Sequence, residues 1–144
     1  MKNFIQSIAL TTILSLLTTF SFAQNKYSVT VVVKGIQQRQ GKVYASISND
    51  ANSFPRGGGI KSAIAEVTQE GEVTLKFENI LEGKYAIVLY QDLNDNKQLD
   101  MNGEMPAEPF GFSNVTMLMG PPSFEQCAFD LNENKTLAIG LMAF

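Results

Sequence analysis

The sequence contains no histidine, no tryptophan and a single cysteine, Cys127. Without histidine the chain lacks the most common general base of enzymes and a principal zinc ligand. One cysteine excludes an intramolecular disulfide, and it also excludes haem attachment through a pair of thiols. These absences remove the most common catalytic and metal chemistries. Carboxylate and amide oxygens remain as the main polar groups from which a site can be built.

Positive charge is also sparse. The chain has 11 lysine and arginine residues against 14 aspartate and glutamate residues, a net charge of −3. The basic residues are scattered and form no stripe, so we expect no nucleic-acid partner. No long uncharged apolar run follows residue 23, and we expect no transmembrane segment in the mature protein.

The first 23 residues have the pattern of a secretory signal peptide. Lys2 supplies the positive start, an apolar core runs from Phe4 to Leu17, and Ser21-Phe22-Ala23 is a small-residue cleavage site. We therefore expect residues 1–23 to be removed. Residues 24–144 are then of a length that suits one exported domain, located in the periplasm or outside the cell.

Apolar and polar residues alternate along most of the remaining chain, a period typical of β-strands with one buried face. The alternation predicts strands over residues 27–34, 42–48, 62–68 and 72–78, with a hairpin joining the first two, and further strands are expected over residues 85–90 and 136–144. The expected core residues are Val31, Val43, Ile47, Val73, Leu75, Phe77, Ile87 and Leu89. Ser123 is expected to cap a short helical turn. The pattern indicates an all-β fold, a single antiparallel β-sandwich.

Tyr85 follows a glycine turn at the start of a strand. In immunoglobulin-like sandwiches a tyrosine near a strand start often ties a corner through its hydroxyl group. We expect the same role for Tyr85.

An oxygen-rich loop follows the strand over residues 85–90, which is apolar on both faces. Side-chain oxygens recur there at relative positions 1, 3, 5 and 9, from Asp92, Asn94, Asn96 and Asp100. Gln98 at position 7 offers its backbone carbonyl. Calcium-binding loops present oxygens at this spacing, because the ion takes about six to eight oxygen ligands. The loop therefore predicts a Ca²⁺ site.

Two residues depart from the calcium loop of an EF-hand. Lys97 stands where the EF-hand has a glycine, and Gly103 stands where it has a bidentate glutamate. Glu104 or Glu108 would supply the missing carboxylate if the chain folded back. The alternative interpretation is a turn whose asparagine and aspartate side chains bond to their own backbone without an ion.

Phe110, Phe112, Ser113 and Asn114 form a possible ligand surface next to this loop. Aromatic rings beside hydroxyl and amide groups suit a small molecule, a carbohydrate or a peptide. The same aromatic residues are also typical of a plug that closes one end of a sandwich.

A carboxylate-based hydrolase is the remaining alternative. Asp92, Asp100, Glu104 and Glu108 are the candidates for its paired carboxylates. Such an enzyme needs a concave site and two carboxylates in different environments. No feature of the sequence indicates either requirement, so we expect a non-catalytic protein.

Three segments together carry a family resemblance: residues 83–86 (GKYA), 92–100 (DLNDNKQLD) and 108–114 (EPFGFSN). From about Tyr27 to Phe144 the chain resembles the small exported bacterial proteins of domain of unknown function 2141. The resemblance implies a β-sandwich of the prealbumin or carboxypeptidase-regulatory type and a periplasmic or surface location. Members of the family often have glycine where Lys97 stands, and the family has no established activity.

Together these observations predict a calcium-stabilised β-sandwich of the cell envelope, with a structural or binding role. Its partner would be an envelope protein or a small ligand.

Overall fold

Strands make up almost all of the regular structure in the computed structural model, which describes residues 24–143. In chain order the elements are β1 (Lys26–Lys34), β2 (Lys42–Ser48), β3 (Lys61–Glu66), β4 (Val73–Leu81), β5 (Gly83–Asp92), β6 (Met101–Asn102), β7 (Met105–Pro106), β8 (Phe110–Phe112), α1 (Phe124–Cys127), β9 (Phe129–Leu131) and β10 (Lys135–Gly140). Ser123 caps α1 as predicted. The predicted signal peptide, residues 1–23, lies outside the described residues. Among the described residues, none of the helices is long and apolar enough to span a membrane.

Two sheets contain most of the strands. One has the order β10-β1-β4, and the other has the order β3-β2-β5-β8, with β9 also paired to β5. Alternate side chains of both sheets meet in one buried apolar cluster, so the fold is nearly all-β and sandwich-like. All the residues predicted for the core lie in this cluster, and none of them is more than 3% exposed.

The prediction of a purely antiparallel sandwich is wrong for one pair of strands. β1 pairs antiparallel with β4 but parallel with β10, with Val31 opposite Leu137. The predicted hairpin between β1 and β2 is also wrong, because these strands belong to different sheets. A strand in which apolar and polar residues alternate buries one face in either case. The next strand in the sequence can pair beside it in the same sheet or lie in the opposite sheet. Alternation therefore does not distinguish the two arrangements.

One side of the sandwich is closed by contacts between β8 and the segment after β10. Phe110 and Met142 exchange backbone hydrogen bonds of 3.0 and 2.7 Å. A Cβ atom on Gly111 would lie 2.4 Å from the carbonyl oxygen of Gly140, so only glycine allows this close approach. β10 itself ends at Gly140, whereas the sequence predicts a strand that continues to residue 144.

The corner predicted at Tyr85 is confirmed. The Tyr85 hydroxyl donates to the carbonyl oxygen of Leu81 at 3.0 Å, across the sharp connection between β4 and β5. Burial raises the pKa of the Tyr85 phenol, so the group stays a hydrogen-bond donor. The bond fixes the direction in which β5 starts.

A second apolar cluster covers the outer face of β5. It is built from Ala86, Phe110, Phe112, Phe124 and Cys127, with Phe54 and Leu118 among the partly buried residues around it. β8 extends the sheet beside β5, and the segment that follows it, through α1, lies over this face. β5 is thus buried on both sides, as its continuous apolar sequence predicts.

Leu89→Ala tests the position of β5 in the core. Leu89 is fully buried, so its truncation should lower the free energy of unfolding by about 2–5 kcal/mol. Denaturant unfolding measures the loss. Ile64→Ala is the control, because Ile64 is 58% exposed and surface substitutions usually change stability by about 0.5 kcal/mol or less. Equal effects of the two substitutions would contradict the assigned core.

Candidate metal centre

The predicted metal ligands lie in a loop that leaves the sheet at the end of β5 and returns at β8. The backbone N–H of Gln91 donates to the carbonyl oxygen of Pro109 at 2.7 Å, which holds the two ends of the loop together. Further along the loop, the N–H of Ala107 donates to the carbonyl oxygen of Asp100 at 2.8 Å. The loop is closed at two points, and residues 92–100 form its turn.

Asp92 is fully buried at the base of this turn. Its carboxylate accepts hydrogen bonds from the backbone N–H groups of Asn96 at 3.3 Å and Lys97 at 2.8 Å. Such donors offset part of the cost of burying a charge. Gly41 covers the base of the turn with a φ of 74°, and a Cβ atom there would lie 1.9 Å from the Asp92 carbonyl oxygen. Only glycine fits at this position.

Asn96 is the centre of the turn. Its backbone N–H donates to the side chains of Asp92 and Asn94, the latter at 3.1 Å. Its side-chain amide donates to Asp100 at 2.8 Å, and its Oδ1 atom accepts from the N–H of Gln98 at 2.9 Å. All five residues predicted as metal ligands therefore meet in one hydrogen-bonded turn.

The Asp100 carboxylate accepts a hydrogen bond from a second asparagine amide, because Nδ2 of Asn94 donates to it at 2.6 Å. Both asparagine amides thus turn their nitrogen toward this carboxylate. A cation needs the amide oxygens instead, and a rotation of about 180° about the last side-chain bond exchanges nitrogen for oxygen. Binding of a cation by these amide oxygens would therefore require both amides to rotate from the orientation that they hold in the turn.

The two glutamates that follow the turn have different positions. Glu108 folds back and is only 5% exposed. One of its oxygens accepts from the N–H of Leu93 at 2.8 Å, and the other accepts from the N–H of Asp100 at 3.2 Å. Glu104 is exposed at the turn between β6 and β7. The Glu108 carboxylate therefore joins the start of the turn to its end through backbone groups.

Lys97 makes the turn without the glycine of an EF-hand. It adopts a φ of 65°, and Asp95 adopts a φ of 60°, a left-handed conformation that is uncommon for residues with a side chain. Asp95 forms an ion pair of 3.0 Å with Lys42 on β2, and this ammonium group lowers the pKa of Asp95. The pair is largely exposed, so it contributes little to stability.

The donor set restricts which metal fits. Between residues 24 and 143 no group of three or more histidine, cysteine, aspartate or glutamate side chains is arranged to hold an ion. Any metal in this turn must therefore also use amide and backbone oxygens. Ca²⁺ accepts such mixed oxygen ligands at roughly 2.3–2.6 Å, so the residues present fit this ion by their chemistry.

The predicted ligand surface is mostly buried. Phe110, Phe112 and Ser113 belong to the interior, at 5%, 6% and 1% exposure. The Ser113 hydroxyl accepts from the N–H of Ile87 at 2.9 Å and donates to the Cys127 carbonyl oxygen at 2.6 Å. The interpretation of these residues as an open platform is therefore corrected, because Phe110 and Phe112 lie in the apolar cluster on the outer face of the sheet and Ser113 is bonded to the backbone of β5.

Asn114 is the exposed member of the predicted ligand surface. Its amide donates to the carbonyl oxygen of Ala128 at 2.7 Å, and it lines an open groove of about 560 Å³ formed by residues 114–122 and Gln126. Met117 and Met119 in this groove are 78% and 99% exposed. The sequence indicates this groove only through the proline and glycine residues around it.

Cys127 has a packing role. It is fully buried, and burial raises the pKa of its thiol to about 11. The thiol is therefore protonated at neutral pH, whereas a nucleophilic cysteine needs the thiolate.

Sequence reasoning missed a pair of stacked tyrosines on the outer face of β2 and β5. The rings of Tyr44 and Tyr90 lie 5.4 Å apart with an interplanar angle of 10°. The register places Ile64 beside Tyr44 and Phe110 beside Tyr90. The available signal was that Tyr44 occupies the outward position of an alternating strand and that Tyr90 ends the apolar strand before the turn, but the pairing of β2 with β5 had to be known first.

The model of one protein family matches residues 31–139, and that family is described as uncharacterized protein conserved in bacteria (DUF2141). The chain belongs to this family. The match runs from within β1 to within β10, so it includes the whole turn, and it confirms the resemblance seen in the sequence. No curated protein and no solved structure gives a significant match to this DUF2141 chain.

Glu108→Gln tests the hydrogen bonds that join the two ends of the turn. The glutamine oxygen can still accept from one backbone N–H, but its amide nitrogen cannot accept from the other. Leaving a buried N–H without an acceptor should lower the free energy of unfolding by about 1–3 kcal/mol. Urea unfolding measures this loss. Glu104→Gln is the matched control and should change stability by about 0.5 kcal/mol or less. Similar losses in both variants would contradict the role assigned to Glu108.

Proposed function

We propose that this protein is an exported, non-catalytic β-sandwich module of the bacterial cell envelope, and that Ca²⁺ bound in the turn of residues 92–100 stabilises it. One observation carries the proposal. Asp92, Asn94, Asp100 and Gln98 are all hydrogen-bonded to Asn96 in a single closed turn. The oxygen-bearing side chains that a calcium ion needs are therefore already collected in one place.

The surroundings of the turn support a structural role for the ion. The turn follows directly from β5, the most buried strand, and Glu108 holds its backbone from the other side. Calcium sites of extracellular modules bind weakly, with dissociation constants of about 10⁻⁴–10⁻³ M. An ion bound at such a site stabilises the folded state by mass action.

The non-catalytic part of the proposal rests on the burial and the hydrogen-bond partners of the carboxylates. Asp92 and Glu108 are buried and accept hydrogen bonds from backbone N–H groups. Asp100 accepts from two asparagine amides. A pair of catalytic carboxylates would instead face each other across a substrate cleft.

The measurement that tests the calcium proposal is thermal and denaturant unfolding in calcium and in chelator. At free calcium about 100 times the dissociation constant, the wild type should gain roughly 2.7 kcal/mol. Asp100→Asn should lose most of this gain, because it removes a negative charge among the ligands. Asp95→Asn is the control in the same turn. It should keep the gain, because Asp95 pairs with Lys42.

Two outcomes would contradict the proposal. Equal melting temperatures of the wild type in chelator and in roughly 10–100 mM calcium, which is about 100 times the expected dissociation constant, would exclude a stabilising ion. A loss in Asp100→Asn that is the same with and without calcium would favour a turn held only by its own hydrogen bonds.

Export rests on the pattern of residues 1–23, with small residues at Ser21 and Ala23. We expect cleavage after Ala23. The intact mass of the protein recovered from the periplasm or the medium checks this expectation, and a mass that still includes residues 1–23 would contradict it.

Binding of a small ligand is the second candidate function, and the open groove at residues 114–122 favours it. Met117 and Met119 give the groove exposed apolar side chains, and methionine adapts to ligands of different shape. Ligand binding in this groove would not depend on Ca²⁺ in the turn of residues 92–100. Methyl NMR signals of these two methionines that stay unchanged during titration with candidate ligands would exclude this use of the groove.

A further inference from the structure

Asn102 and Gly103 form the only Asn-Gly pair in the sequence. They lie at the tip of the hairpin of β6 and β7, where Asn102 pairs with Met105 and the loop consists of Gly103 and Glu104. Asn102 and Gly103 are both exposed. A Cβ atom on Gly103 would meet no other atom within 4 Å. The peptide bond between the two residues is therefore open to water.

The Asn102 amide differs from the other asparagine amides near it. The amides of Asn94, Asn96 and Asn114 each donate to an oxygen of another residue. Within residues 24–143, no hydrogen bond restrains the side chain of Asn102. A residue with a side chain follows each of those three asparagines, whereas glycine follows Asn102. Without a Cβ atom on the next residue, the side-chain carbonyl carbon of Asn102 can closely approach the following backbone nitrogen.

The hairpin that carries this pair is small. β6 and β7 have two residues each and form a sheet of their own. A two-stranded hairpin is marginally stable by itself, and exposed segments of this kind open locally without unfolding of the domain. The N–H of Ala107 donates to the Asp100 carbonyl oxygen at the base of the hairpin. The tip can therefore open while the turn of residues 92–100 stays in place.

We propose that Asn102 is a site of spontaneous deamidation in the folded protein. The backbone nitrogen of Gly103 attacks Cγ of Asn102, so a bond forms between these atoms and the bond from Cγ to Nδ2 breaks. The proton of the Gly103 nitrogen goes to the side-chain nitrogen, which leaves as ammonia. Water then opens the cyclic imide at either of its carbonyl groups, and residue 102 becomes aspartate or isoaspartate.

Both products change the tip of the hairpin. Each carries a carboxylate, so one negative charge is added two residues after Asp100. In isoaspartate the main chain also runs through the former side-chain carbon, which lengthens β6 by one atom and breaks the pairing of residue 102 with Met105. The reaction does not depend on Ca²⁺ in the turn.

Long incubation of the folded protein in neutral buffer at physiological temperature, followed by peptide mass spectrometry, tests the proposal. Residue 102 should gain one mass unit and yield both aspartate and isoaspartate. The rate should lie within about tenfold of the rate in denaturant, because a small hairpin opens at low cost. Asn94, Asn96 and Asn114 are the internal controls and should keep their amides in the folded protein.

Asn102→Gln is the matched variant. Its side chain is exposed, so the substitution should not disturb folding, and thermal unfolding confirms this. The longer side chain would have to close a larger ring, so the mass gain at position 102 should disappear. A folded wild type that keeps Asn102 while the chain in denaturant loses it would overturn the proposal. So would equal mass gains at Asn94, Asn96 and Asn114, or an equal gain at position 102 in Asn102→Gln.

Discussion

Burial of β5 on both faces is the constraint on which the rest of the fold depends. Ile87 and Leu89 face the core between the sheets, while Ala86 and Val88 face the opposite cluster. A strand that is apolar on both sides needs cover on both sides. The sheet β10-β1-β4 covers the first face. The chain must therefore turn back after Asp92, add β8 beside β5 in the same sheet, and lay α1 over the second face. The loop is a consequence of this requirement, and the sheet fixes its two ends.

The same turn concentrates negative charge in the interior. Asp92 and Glu108 are both buried there, and their hydrogen-bond donors are neutral backbone groups. Tyr90 shows the effect, because burial and then the charge of Asp92 raise the pKa of its phenol, with further contributions from Tyr44 and Glu108. Lys42 lies opposite Asp92 in the ladder, but it is paired with Asp95. A divalent cation is the kind of group that offsets such charge, which is the physical reason to favour calcium over a self-contained turn.

The sequence predicted the features that depend on local pattern. Strand positions follow from alternation, and the corner at Tyr85 follows from a glycine turn before a strand. The side chains selected by the calcium-type spacing lie in one hydrogen-bonded turn, and their role as metal ligands stays a prediction. The parallel pairing of β1 with β10 was not predictable, because the partners are far apart in sequence. The burial of Phe110 and Phe112 agrees with the alternative interpretation as a plug, but their place in the sheet was not predictable for a similar reason. Their three-residue strand carries no period, and its pairing beside β5 is known only from the fold.

The hydrogen bonds of the turn limit how tightly calcium would bind. The amides of Asn94 and Asn96 donate to Asp100, so ion binding would exchange two good hydrogen bonds for metal–oxygen contacts after both amides rotate. At position 97 a lysine, and not the glycine of an EF-hand, holds the left-handed conformation. The net gain on binding is reduced accordingly, which favours an affinity in the weak range of extracellular modules rather than that of a cytosolic sensor. A weak site is useful only where calcium is abundant, so the calcium hypothesis and the export hypothesis depend on each other.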